Sequence, residues 1–259
     1  MCVVFFDYFC RCKSFDYLNW KIHPAFMGEK GTYTYDYWRP AVTVDNVVFS
    51  FDGTHLNVLL VRRGRPPFKD CWAFPGGFLD EHETLEEAAR RELKEETGLT
   101  PKYLIEIGSF SALDRDPRGR TITIAYASVV RPSQTESATA GDDANECHWF
   151  PIVEMPPLAF DHADIFQKAL FMLRIGIIRD PVAFMLLDDT FTLPEMQRLY
   201  TDIFNREFDR RNFQKKFLAS GMLSPTHPDE NGKKNAHAPI HYRFNEEGYM
   251  QFKEKVTKC

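Results

Sequence analysis

The sequence predicts an α/β protein, a mixed-sheet α/β/α sandwich followed by a small winged-helix domain. Three observations carry this. Between residues 40 and 152, β-rich runs alternate around one strongly capped amphipathic helix. That helix opens just after a strand-like run broken by Pro75, Gly76 and Gly77. The segment 189–259 then carries two helical patterns followed by a hairpin-like return.

With 259 residues, 44% of them hydrophobic, the chain can bury a sizeable core and fill two domains. A net charge of −5 argues against a protein basic throughout, while leaving room for a local basic face. Six cysteines, at 2, 10, 12, 71, 147 and 259, show no paired metal-ligand spacing beyond Cys10-Arg11-Cys12, which is too tight for the usual zinc pattern. They read as reduced thiols of a cytoplasmic protein. No run is long enough to cross a membrane. The opening MCVVFFDYFCRCK is apolar but interrupted by Asp7, with no basic stretch before it and no clear cleavage site after it. Residues 1–26 fit no periodic template, so 1–38 reads as an N-terminal extension, with Met27 an alternative start.

From Pro40 the elements follow in order. AVTVDNVVFSF (41–51) and HLNVLLVRR (55–63) are β-rich and joined by Asp52-Gly53, a hairpin signal. WAFPGGFLDEHE (72–83) is apolar and strand-like until its proline and glycines. A helix is predicted over 85–97: Thr84 and Glu87 form a capping box, Leu85, Ala88, Ala89 and Leu93 an apolar stripe, and Gly98 a left-handed C-cap. KYLIEIGSFSAL (102–113), RTITIAYASVV (120–130) and CHWFPI (147–152) are further strands. LAFDHADIFQKALFMLRIG (158–176), in a connector spanning 156–188, carries Ile165, Ala169, Phe171 and Met172 on a mainly apolar helix expected to pack against the first domain.

The helix over 85–97 raises a question. Glu92, Glu95 and Glu96 fall three and four apart on one face, where like charges repel by about 0.2–0.5 kcal/mol per pair. A solvated acidic face is one reading. The other starts from Gly76 and Gly77, which permit a tight loop with inward carbonyls. Carbonyls and carboxylates together make a hard-cation site suited to Mg2+ or Mn2+, and a divalent ion would turn the repulsion into coordination.

The same residues carry a family resemblance. Gly77, five residues, Glu83, seven residues, then Arg91-Glu92-Leu93-Lys94-Glu95-Glu96-Thr97-Gly98-Leu99 fill every specified position of the Nudix box over 23 residues. The chain thus resembles the Nudix hydrolases. The resemblance implies a sandwich over 39–155 and hydrolysis, with Mg2+ or Mn2+, of the diphosphate bond in a nucleoside diphosphate linked to X. By position it implies Glu95 and Glu96 as principal metal ligands and Glu92 as a ligand or water-orienting base. The carbonyl of Gly77 or Gly76 completes the site. Arg91 and Glu83 are implied to orient the cluster, although such a pair can also simply join loop to helix. The base remains open among Glu92 and the loop residues Asp142, Asp143 and Glu146.

The loop LDRDPRGR (113–120) gathers Arg115, Arg118 and Arg120 beside Asp114 and Asp116. Arginine forks bind phosphate in bidentate fashion, and a salt-bridged turn is the alternative. Pro117 lies 18 residues beyond Leu99, similar to the proline of Nudix subfamilies acting on ADP-ribose, which makes ADP-ribose or a related nucleotide sugar the expected substrate. Arg62 and Arg63 close the second strand and are further candidates for phosphate contact. Trp72 and Phe74 could stack a base, but ordinary core packing is the simpler explanation for them.

In the segment 189–259, Thr192 and Glu195 form a capping box before Leu193, Met196, Leu199, Tyr200 and Ile203 at helical spacing. Asp209 caps RRNFQKKFLASG (210–221), expected to bury Phe213, Phe217 and Leu218 opposite Arg210, Arg211, Lys215 and Lys216. A polar insert with Pro225, Pro228, Asn231-Gly232 and Lys233-Lys234 then returns through IHYRFN (240–245). This helix-turn-helix-wing pattern resembles the winged helix of Nudix-related transcriptional regulators and the tail of some Nudix enzymes. A basic second helix and wing suit phosphate-backbone contact. With 12 Lys and Arg against 10 Asp and Glu the segment is nearly balanced, so bracing the catalytic domain or a dimer is the competing role. The expectations are therefore a hydrolase or, alternatively, a DNA-binding regulator sensing ADP-ribose or a sugar, in a symmetric homodimer.

Overall fold

β1 (Ala41–Phe51) organises the molecule because both of its edges are paired. In the computed structural model, which describes residues 36–135, 138, 144–226 and 239–257, it runs parallel to β6 (Thr121–Val129) along one edge. Along the other it pairs antiparallel with β2 (Leu56–Arg63) at its end and with β4 (Gly76–Phe78) nearer its start. β2 also pairs with β3 (Trp72–Ala73) and β7 (Ala144–Pro151), and β5 (Tyr103–Phe110) closes the far edge on β6. The result is the expected mixed sheet, with seven strands.

The alternation of β1 sorts the layers. Val44 and Val48 pack against α1 (Leu85–Thr97) through Ala88, Ala89 and Leu93. Val47, Phe49 and Phe51 pack on the other face against Ile165, Phe166, Ala169, Leu170 and Leu173 of α3 (His162–Arg179). A single turn, α2 (Pro132–Thr135), follows β6. α1 begins in the expected capping box, both bonds present, and ends on Gly98 at φ 73°. Its two buried alanines bring strand and helix so close that Asn46 Nδ2 donates to the Ala89 carbonyl at 3.1 Å.

The second part comprises α4 (Val182–Leu186), β8 (Phe191–Thr192), α5 (Leu193–Phe204), α6 (Arg210–Ser220), β9 (Leu223–Pro225), β10 (His241–Phe244) and α7 (Glu246–Thr257). β8, β10 and β9 form a three-stranded sheet beside the two-helix unit. The capping box of α5 and the Asp209 cap of α6 are both present. Two expectations need correction. Phe213 is buried and Phe217 half-buried against Tyr200, but Leu218 is 49% exposed, because one residue further turns about 100° round the helix. Phe171 is likewise exposed, on the side of α3 opposite its core face. The sequence reading also did not place α7, whose Tyr249 hydroxyl donates to the Arg179 carbonyl at 3.2 Å.

Pro40–Cys259 is one structural unit, separate from Met1–Arg39. Both of its parts contribute to a single apolar cluster, in which Leu56 and Phe51 join Leu193, Met196 and Ile203. Polar contacts reinforce it. The Asp202 carboxylate accepts from the Leu56 amide at 2.7 Å, Arg198 Nε donates to the Gly53 carbonyl at 3.1 Å, and Arg131 pairs with Asp189. At the far end of α3, Arg174 Nε donates to the Ile203 carbonyl at 2.6 Å.

Among the described residues no helix is long and apolar enough to cross a membrane. Cys71 and Cys147 are free thiols, and the other four cysteines lie outside the described residues. So do Met27, Asp142, Asp143, Pro228, Asn231, Gly232, Lys233 and Lys234.

Candidate active site

β4 lies so tightly between β1 and α1 that its glycines are steric requirements. A Cβ on Gly76 would stand 2.1 Å from the Val44 carbonyl oxygen, and one on Gly77 would stand 2.2 Å from Glu92 Oε1. Gly76 donates its amide to Glu96 Oε2 at 2.9 Å, so the loop and the acidic helix are locked together. Beside them opens a cleft of about 430 Å3. Glu92, Glu96, Asp80 and the two glycines line one side of it, and Arg62, Arg63 and Arg65 enter from the end of β2. Arg115, Asp116 and Arg118 come from the loop before β6.

Arg91 is the hub of the acidic wall. It holds Glu83 with two bonds, Nε at 2.9 Å and Nη2 at 2.6 Å, and its Nη1 reaches Glu92 at 2.8 Å and Glu95 at 3.2 Å. The bonds from Arg91 hold the Glu83 carboxyl down at about 2. Glu92 shifts the other way, raised by burial against the pull of Arg91. Glu96 is pushed up to about 7 by burial, helped by the negative charges of Glu92 and Asp45 and opposed by the Gly76 amide.

Two carboxylates facing the cleft at the mouth of a glycine turn are the donor chemistry of a hard divalent ion. Among the described residues no three His, Cys, Asp or Glu side chains form a ready-made cage, and Glu95 is turned to Arg91. That arrangement fits a hard divalent cation held through one or two carboxylates, with water and phosphate oxygens completing its shell. Of the three expected glutamates, Glu92 and Glu96 line the cleft and Glu95 does not.

The expected phosphate arginines divide into distinct environments. Arg115 is buried, spent on Asp161 and Asp45. Arg120 donates to the carbonyls of Ser111 and Ala112 and does not line the cleft. Arg62 lines it but pairs with Glu146 across the β2–β7 ladder at 3.0 Å. Arg118 is clamped by Asp116, and its guanidinium lies over the rings of Phe78 and Phe160. Burial would raise the Asp116 carboxyl, but the bonds from Arg118 outweigh it and hold it low. Arg63 gives its Nε to the Pro67 carbonyl, and among the described residues its Nη atoms meet no protein acceptor. Burial and the neighbouring Arg118 lower its basicity. A half-buried guanidinium with open donors is a natural anion contact.

Sequence reasoning missed the cleft floor. Asp45 faces it from β1, accepting from Thr123 Oγ1 at 2.7 Å and lying 3.5 Å from His162 Nε2. The Phe74 amide donates to His162 Nδ1 at 2.9 Å, which places the imidazole proton on Nε2, and burial keeps the ring neutral. Phe74 stacks on that histidine, whereas Trp72 packs against Phe150. One signal was available. Asp45 and Asn46 interrupt an apolar strand, and an acid on the face of Val47 and Phe49 needs a partner. His162 and Phe160, by contrast, reach the cleft only through the docking of α3.

In the winged-helix part, Arg210, Arg211, Lys215 and Lys216 are all exposed on α6, and among the described residues none has a carboxylate partner.

Comparison with known proteins agrees with both halves. The model of the NUDIX domain matches residues 39–169, and that of the NrtR DNA-binding winged helix domain matches 183–244. The ADPR responsive transcriptional repressor NtrR of Acinetobacter baylyi is 31% identical over 217 residues, 83% of this chain and 86% of that protein. The ADP-ribose pyrophosphatase of Methanocaldococcus jannaschii is 44% identical over 131 residues, 51% of this chain and 73% of that protein. Among solved structures, Shewanella oneidensis NrtR complexed with a 27mer DNA superposes with a TM-score of 0.64 at 28% identity, covering 81% of this chain and 95% of that one. The chain belongs to the Nudix family, and its C-terminal part is a winged helix of the NrtR type.

Proposed function

We propose that this protein hydrolyses the diphosphate bond of ADP-ribose or a related nucleoside diphosphate sugar with Mg2+. The observation that carries the reading is one cleft lined by Glu92 and Glu96 together with Arg63 and Arg118. Bound Mg2+ supplies charge neutralisation at the diphosphate oxygens. Arg63 offers its open Nη donors to phosphate, and Arg91 keeps Glu92 and Glu95 oriented. Of the base candidates within the described residues, Glu92 lines the cleft and Glu146 is tied to Arg62 outside it. We assign proton removal from water to Glu92, the base candidate that lines the cleft, whose carboxyl burial raises above its ordinary value. The 44% identity to an ADP-ribose pyrophosphatase supports this substrate class.

A second reading rests on the exposed cationic face of α6 and on the length of the match to a repressor. In it the same cleft senses the ligand and the winged helix binds DNA, with or without turnover.

The deciding experiment is phosphate-product release from a panel of nucleoside diphosphate compounds with Mg2+ or Mn2+, wild type against Glu96→Gln. Metal-dependent turnover of ADP-ribose that the variant loses supports the enzyme. Folded protein inactive on the whole panel removes the enzyme reading in favour of the regulator, which DNA binding with and without those ligands then tests.

A further inference from the structure

The turn that brings Gly77 to Glu92 is suspended between two layers of the fold. From the α1 side, Glu96 Oε2 accepts the Gly76 amide at 2.9 Å. From β1, the Asn46 amide donates to the Pro75 carbonyl at 2.8 Å. A third hold comes from the opposite layer. His162, the first residue of α3 and only 3% exposed, accepts the Phe74 amide on Nδ1 at 2.9 Å from 88 residues away in the chain. Its ring stacks on that of Phe74, with centroids 5.4 Å apart and planes 12° apart. Its Nε2 lies 3.5 Å from Asp45 Oδ1, in the carboxylate that stands beside Gly76. The imidazole is itself held in place. The preceding Asp161 is gripped by Arg115, and the Ala159 amide donates to the Trp72 carbonyl at 2.8 Å.

We propose that His162 is a positioning residue for the diphosphate hydrolysis, setting the path of the 74–77 turn and through it the place where Gly77 meets Glu92. The proposal rests on the hydrolase reading above and adds a residue that acts on the reacting carboxylate through the backbone. Pro75 has no N–H, so Phe74 and Gly76 carry the two amides between β3 and Gly77. A buried amide needs an acceptor, and these two find theirs on opposite layers, Glu96 of α1 and His162 of α3. One hold would let the turn pivot, whereas two set its height above the acidic helix. There is no slack beyond it. A Cβ on Gly77 would stand 2.2 Å from Glu92 Oε1, so backbone and carboxylate already touch, and a displaced turn moves or releases that carboxylate. A misplacement of about 1 Å at a reacting group costs about a hundredfold in rate. A histidine that merely filled the core would be replaceable by any apolar side chain of similar volume.

The test compares His162→Asn, whose amide oxygen can take the place of Nδ1, with His162→Leu, which fills the site without an acceptor. Turnover of ADP-ribose with Mg2+ gives kcat and KM, and hydrogen exchange of the Gly76 amide in metal-free protein reads the turn without any chemistry. Leu173→Ala, on the buried face of the same helix, controls for lost stability. His162→Leu should lower kcat about a hundredfold with KM nearly unchanged, and speed Gly76 exchange about tenfold or more. His162→Asn and the control should both stay within about threefold of wild type in kcat and in Gly76 exchange. His162→Gln, whose amide reaches the place of Nε2 instead, should behave as His162→Leu does and decides the matter if His162→Leu does not fold. Unchanged kcat or unchanged Gly76 exchange in these acceptor-less variants overturns the proposal. So does a loss in His162→Asn or in the control as large as theirs. Wild type inactive on every nucleoside diphosphate compound would remove the hydrolase reading and this role with it. Active wild type with insensitive variants would remove the role and leave the reading standing.

Discussion

Arg115 grips Asp161 with two parallel hydrogen bonds, Nε to Oδ2 at 2.9 Å and Nη2 to Oδ1 at 2.7 Å, while its side chain is only 4% exposed. The same Nη2 reaches Asp45 at 3.4 Å. One cation thereby ties the loop before β6 to β1 and to the residue that opens α3. Its neighbour Arg118 faces the cleft mouth instead, and only the fold distinguishes the two.

Arg115→Ala would leave two carboxylates poorly compensated in a buried setting. Removing one partner of such a network costs about 3–5 kcal/mol. Urea denaturation should show a loss of that size, and a change below about 1 kcal/mol would refute the buried-network account.

The two glycines of β4 should fail differently. Gly76→Ala drives its Cβ into the Val44 carbonyl, which is backbone and cannot yield without breaking the β1–β4 ladder. Overpacking of this kind costs about 1–3 kcal/mol, so melting should fall clearly. Gly77→Ala meets the Glu92 carboxylate, a side chain that can swing aside. Stability should change little, while turnover drops by about a hundredfold because a reacting group is displaced. Melting curves and rates that rank the two variants the other way would contradict this.

The Glu96 carboxyl near 7 gives a signed dependence on pH in metal-free protein. Its ordinary value is 4.5, so between about 4.5 and 7 the folded state holds more protons than the unfolded one, and stability falls as pH rises. At 1.36 kcal/mol per unit the whole effect is about 3 kcal/mol, and it levels off above pH 7. His162 acts oppositely. Its lowered value means that the stability of the neutral ring is lost as pH falls below the ordinary 6.5. Urea midpoints of wild type and Glu96→Gln in chelator, from pH 5 to 8, share the histidine contribution and isolate the glutamate. Parallel curves would be the adverse result.

On α6, Arg211 and Lys215 stand four residues apart on an exposed face. If this face meets DNA phosphates, replacing either by alanine should weaken duplex binding uniformly across sequences and reduce the salt slope by about 1. Fluorescence anisotropy at several salt concentrations measures both. An unchanged slope in both variants would move the contact elsewhere.

What the sequence disclosed was local. The boxes at Thr84 and Glu87 and at Thr192 and Glu195, the Asp209 cap and the Asp52-Gly53 turn are each written in a few adjacent residues, and all are present. The acidic wall is equally compact, since Glu92, Glu95 and Glu96 share one helix and Glu83 stands just before its cap. The cleft floor is assembled from distant segments: Asp45 in β1, Thr123 in β6 and His162 in α3. No spacing rule connects them. α7 escaped for a related reason, because Gly248 weakens its helical pattern. In the fold that glycine is required by packing, since a Cβ there would stand 1.9 Å from the Gly221 carbonyl oxygen.

The pairing of β1 and β2 bears on how the chain is made. Both strands leave the ribosome early, yet Ala41 must wait for Thr121 and Asn57 for Pro151 before their ladders can close. Such long-range closure is slow, and the nascent chain meanwhile exposes the Val47, Phe49 and Phe51 face. The winged helix, synthesised after the sandwich, adds the Asp202 acceptor for Leu56 and the residues that cover Phe51. A chain arrested near Pro151 should therefore be a chaperone client, and completion of the C-terminal helices the event that releases it.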